Sequence, residues 1–105
     1  MKKDLNEILS ILRELLPFIS QKYSVTSIEL FGSYVKNEQN IKSDLDVLVT
    51  FSKVPSLLKF IELKNYLSDK LLVNVDLVMK DSLKPGIGQR IINESVAVWK
   101  AKEII

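Results

Sequence analysis

Eight consecutive residues, Asp44–Phe51, read Asp-Leu-Asp-Val-Leu-Val-Thr-Phe and constrain the fold more tightly than any other stretch. The run is apolar and β-branched, and it predicts a buried strand. Side chains alternate across a strand, so Leu45, Val47, Val49 and Phe51 line one face, and Asp44, Asp46, Leu48 and Thr50 the other. Val73–Lys80 repeats the division, with Val73, Val75, Leu77 and Met79 opposite Asn74, Asp76, Val78 and Lys80. Each strand therefore has one apolar face and one face carrying carboxylates. If the two are neighbours in a sheet, Asp44, Asp46 and Asp76 converge.

Helical spacing predicts the cover for the apolar faces. Leu5, Ile8, Leu9, Leu12, Leu15 and Leu16 form a stripe over residues 4–16, with Asp4 and Glu7 resembling a capping box at its start. Pro17 is expected to end that helix and leave 17–22 as a separate turn or short helix. Leu57, Leu58, Phe60, Ile61, Leu63, Leu67 and Leu71 suit a second helix over 56–71. Ser27–Phe31 alternates and reads as a strand ending at Gly32. A helical turn over Tyr34–Glu38, a polar loop over Gln39–Ser43, a helix from near Pro85 to Glu94 and a strand over Ser95–Trp99 complete the reading. No repeat or low-complexity linker interrupts the 105 residues, which read as one small α/β domain.

Composition then limits the chemistry. The chain has no Cys and no His, so it offers no thiol nucleophile, disulfide, thiolate metal site or imidazole base. Carboxylates, hydroxyls, Lys, Arg and backbone groups remain, and oxygen ligands suit Mg²⁺ or Mn²⁺. A net charge of +2 with both signs mixed gives no general nucleic-acid footprint. No apolar stretch approaches membrane-spanning length, and the start Met1-Lys2-Lys3-Asp4 soon turns amphipathic, so a cytoplasmic location is expected.

The candidate site lies within residues 32–46. Gly32-Ser33 stands ten residues ahead of Asp44-Leu45-Asp46. A Gly-Ser turn presents backbone N–H groups to a phosphate, although any strand-ending turn also favours these residues. Asp44 and Asp46 lie roughly 6–7 Å apart along a strand, a spacing that suits cations about 3.5–4 Å apart. A lone Asp-x-Asp more often caps a strand in solvent; the upstream turn and a third acid, Asp76, favour a metal site. Lys36 either steadies a triphosphate or is simply solvated. Tyr23, Tyr66, Phe18 and Phe60 read as core or partner surface.

Leu30-Phe31-Gly32-Ser33 followed by Ser43-Asp44-Leu45-Asp46-Val47-Leu48-Val49, with Val75-Asp76-Leu77-Val78 later, resembles the minimal nucleotidyltransferase family of the DNA polymerase beta-like superfamily. The resemblance implies a mixed sheet backed by helices. It implies two Mg²⁺ ions held by Asp44, Asp46 and Asp76, with Mn²⁺ as an alternative. It also implies ATP phosphates gripped at Gly32 and Ser33, and transfer of AMP to a hydroxyl, with Asp76 orienting or deprotonating the acceptor. Many members follow Gly-Ser with a small residue, Arg and Gly; this chain has Tyr34-Val35-Lys36-Asn37, which keeps a charge but loses the bidentate fork. In pairs resembling this one, the small transferase is the antitoxin of a HEPN-domain ribonuclease toxin and adenylylates a toxin tyrosine. The alternatives are a non-catalytic antitoxin that acts by occlusion and a nucleotide-sugar glycosyltransferase, which generally needs a much longer chain.

Overall fold

The computed structural model describes residues 4–32, 44–83, 86, 88, 91 and 94–100. Its elements are α1 (Leu5–Tyr23), β1 (Val25–Phe31), β2 (Leu45–Phe51), α2 (Leu57–Leu71), β3 (Val75–Met79) and β4 (Val96–Lys100), with a 3₁₀ turn at Lys80–Ser82. The four strands form one mixed sheet in the order β3-β2-β1-β4. β2 runs parallel to β3 and antiparallel to β1, and β1 runs antiparallel to β4. The two strands with divided faces are therefore neighbours, joined through α2 as a β-α-β unit.

The helices take one face of the sheet. Ile8, Leu12, Leu16 and Ile19 of α1 and Leu63, Leu67 and Leu71 of α2 are buried against Ile28, Leu30, Leu45, Val47, Val49 and Val75. Each helix begins where a side chain can satisfy a free backbone donor. Glu7 N–H donates to Asp4 Oδ1 at 2.9 Å, and Lys59 N–H donates to Ser56 Oγ at 3.2 Å. Where α1 ends, the buried Tyr23 hydroxyl donates to Glu62 Oε2 of α2 at 2.7 Å. Burial first, and then that carboxylate, pushes the Tyr23 phenol up to about 12.

Several expected boundaries move. The first helix does not stop at Pro17 but continues through it to Tyr23. Proline removes the bond from its own position to the Arg13 carbonyl, and both residues lie on the exposed side of α1, where water can take that carbonyl. Meanwhile Leu16 and Ile19 on the other side remain buried and hold the helix to the sheet. β1 begins two residues ahead of the expected strand, at a bulge where Thr26 and Ser27 both reach Thr50. The expected turn at Tyr34–Glu38 and loop at Gln39–Ser43 lie outside the described residues. Gly88, Ile91 and Glu94 are helical, as expected between Pro85 and Glu94. Among the described residues no helix is long and apolar enough to cross a membrane.

Candidate active site

The face of the sheet turned away from α1 and α2 carries the acids. In the β2–β3 ladder Asp46 stands opposite Asp76, and in the β1–β2 ladder Phe31 stands opposite Asp46. Identical parity in two adjacent strands thus puts two carboxylates side by side at the start of both. Asp44 sits exposed one residue before β2. Leu45 N–H donates to the Asn74 carbonyl at 2.8 Å, which fixes the entry of β2 next to that of β3.

The half-buried Asp46 is the electrostatic centre. Its carboxyl is pushed up to about 6, first by burial, then by the charges of Asp76 and Asp44, and by a side-chain hydrogen bond with Asp76. Gly32 completes this corner. It has φ +81°, and a Cβ there would run into Asp46 Oδ2 and lie 3.0 Å from Asp46 Cγ. Only glycine suits both that backbone conformation and the carboxylate beside it.

A divalent cation fits the donor set better than it fits the present side-chain arrangement. Hard, crowded anionic oxygens are suited to Mg²⁺ or Mn²⁺. Among the described residues, however, no three acids stand together closely enough to hold an ion. Asp46 and Asp76 are paired, while Asp44 acts on Asp46 through its charge. Ser33 and Lys36, expected to grip phosphate with Gly32, lie outside the described residues.

A second polar group on the same face escaped the sequence reading. Glu29 lies opposite Leu48, the next outward position after Asp46. Lys80 Nζ donates to Glu29 Oε1 at 2.6 Å, and Ser95 Oγ donates to Glu29 Oε2 at 2.7 Å. The strand alternation put Lys80 on the acid face of its strand. The same alternation applied to β1 would have put Glu29 there with Ser27 and Phe31.

Comparisons with known proteins agree with this fold. The family model of the nucleotidyltransferase domain matches residues 12–98. The chain is 49% identical over 94 residues to the protein adenylyltransferase MntA of Thermococcus cleftensis, covering 90% of this chain and 95% of that one. A structure described as a minimal nucleotidyltransferase superposes with a TM-score of 0.74 at 32% identity, covering 90% of this chain and 95% of the other. A toxin–antitoxin crystal structure with AMP-PNP gives 0.68 at 28% identity, with coverages of 92% and 73%. A complex of tri-AMPylated Shewanella oneidensis HEPN toxin with its MNT antitoxin gives 0.60 at 26%, with coverages of 91% and 69%. The chain belongs to the nucleotidyltransferase domain family. Within it, the fold is that of the minimal nucleotidyltransferases, two helices on a four-stranded mixed sheet.

Proposed function

We propose that the chain is an ATP- and Mg²⁺-dependent protein adenylyltransferase that transfers AMP to a tyrosine hydroxyl of a HEPN-type toxin and so acts as its antitoxin. The observation that carries this reading is the pairing of Asp46 with Asp76, in register across two strands, beside a glycine that leaves room for nothing else. The relatives support the rest: one is named a protein adenylyltransferase, and a structural neighbour pairs an MNT antitoxin with an AMPylated HEPN toxin.

Asp44, Asp46 and Asp76 would hold the metal, which when bound supplies charge neutralisation at the phosphates and a polarised α-phosphorus. The chain's own groups account for the remaining steps. Gly32 and Ser33, with Lys36, take the phosphate oxygens. Asp76, exposed on the edge strand β3, is open to an incoming hydroxyl and takes or orients its proton. The acceptor oxygen forms a bond to the α-phosphorus, the bond to the bridging oxygen breaks, and pyrophosphate leaves.

The test is incubation with labelled ATP, Mg²⁺ and a HEPN-type protein encoded beside this chain. Asp44→Asn with Asp46→Asn is expected to abolish label transfer, and undiminished transfer contradicts the assignment. The Tyr34-Val35-Lys36-Asn37 departure favours one other reading, neutralisation by occlusion. In that case the double variant still protects cells from the toxin at normal expression.

A further inference from the structure

The acid-bearing face of the sheet also carries an ion pair that is largely withdrawn from water. Lys80 Nζ and Glu29 Oε1 stand 2.6 Å apart, with side chains 29% and 13% exposed. By contrast, the pairs of Glu62 with Lys22 and Lys59, on the helices, are 45% or more exposed on each side and contribute little. Ser95, the residue before β4, donates to the other carboxylate oxygen, Glu29 Oε2, at 2.7 Å. A charged pair so far from solvent, with a second donor on the acid, is directional and costly to break.

Its place in the sheet connects it to the acids. Register puts Phe31, Asp46 and Asp76 in one row across β1, β2 and β3, and Glu29, Leu48 and Val78 in the next row of the same face. Lys80 stands just past β3, in the 3₁₀ turn, and reaches back across β2 to a strand with which β3 makes no ladder. Ser82 Oγ donates to the Met79 carbonyl at 2.8 Å and Leu83 N–H to the Lys80 carbonyl at 3.3 Å, which closes the turn that carries the lysine. At the start of β3, Val75 N–H donates to Ser68 Oγ of α2 at 3.0 Å. This five-residue edge strand is thus pinned at both ends, with Asp76 between the pins. Neighbouring strands rotate on one another by roughly 10–35°, and a strand with a single ladder has the least to fix that angle. The Lys80–Glu29 pair fixes it by tying β3 to β1. Because β1 runs on into Gly32, the same tie sets Gly32 and Asp76 on either side of Asp46.

We propose that Glu29 and Lys80 are positioning residues, whose ion pair holds β3 to β1 across β2 and so sets the spacing of Asp76 from Asp46 and Gly32. This rests on the reading of the acids as a metal-holding group, and deepens it by naming what spaces them. Position and charge predict opposite signs. Lys80→Met removes a cation from the acid face, which by charge alone tightens the hold on a divalent ion, whereas loss of the tie loosens it.

A Mn²⁺ titration followed by electron paramagnetic resonance tests this on the full chain, at a temperature where thermal melts show every variant folded. Lys80→Met and Glu29→Gln are each expected to weaken Mn²⁺ binding by about tenfold, as for other groups that orient ligands. Lys80→Arg, which can still pair with Glu29, should bind as wild type. Wild-type or tighter binding in Lys80→Met overturns the proposal, as does wild-type binding in Glu29→Gln or an arginine variant as weak as the methionine one. Leu67→Ala, which removes core packing instead, separates position from lost stability, and an equal loss of affinity there overturns the proposal too. Lys80→Ala decides the case if Lys80→Met does not fold. No Mn²⁺ uptake by wild type removes the metal-holding reading and the proposal with it, whereas full uptake by the ion-pair variants removes the proposal alone.

Discussion

The two faces of β2 differ in almost everything except their backbone. Leu45, Val47 and Val49 are buried under two helices, while Asp46, between Leu45 and Val47, stands beside Asp76 on the opposite face. Steps of one residue separate the groups that hold the fold from the groups that do chemistry. A slip of one residue in register would exchange the two sets, so the buried valines also fix the position of the acids. Damage to one face should therefore be nearly silent on the other.

The largest expected effect lies on the acid face. Asp46→Asn should reduce AMP transfer by on the order of a thousandfold, measured with labelled ATP, while circular dichroism shows an intact fold. Next comes the covered face. Leu67→Ala should lower unfolding free energy by about 3 kcal/mol in urea melts, yet leave transfer per folded molecule unchanged. If transfer falls as steeply as in Asp46→Asn, the two faces are not independent.

Gly32→Ala, at the acid corner, should cost about 1–3 kcal/mol, because it combines a left-handed backbone with a collision against Asp46. A transfer defect larger than that loss of stability would show the turn acting on the carboxylate directly. A smaller effect concerns pH. Asp46 binds its proton more tightly folded than unfolded, so metal-free stability should rise as pH falls from about 6 towards the ordinary aspartate value. Thermal melts should show that slope in wild type and not in Asp46→Asn. Smallest of all, Pro17→Ala should shift stability by under about 1 kcal/mol in the same melts, since the carbonyl it would re-pair already faces water.

The alternation of Asp44–Phe51 and Val73–Lys80 made the helix-packed and acid-bearing faces legible, along with the parity of Asp46 and Asp76. Their adjacency was legible only as a condition, because strand order depends on contacts between distant parts of the chain. Pro17 misled because local propensity favours a break, whereas burial of Leu16 and Ile19 decides the outcome. Glu29 escaped because a lone acid in a short strand has no signal until Lys80, 51 residues away, closes on it. Asp44, expected beside the other two acids, lies exposed one residue before β2 and acts on Asp46 through its charge.

The most direct measurement is a Mn²⁺ titration followed by electron paramagnetic resonance on wild type, Asp46→Asn and Leu67→Ala. Wild type and Leu67→Ala should withdraw Mn²⁺ from solution with similar affinity, and Asp46→Asn should leave it free. Equal binding in all three would contradict the claim that the acid face of β2 and β3 is a metal-holding centre.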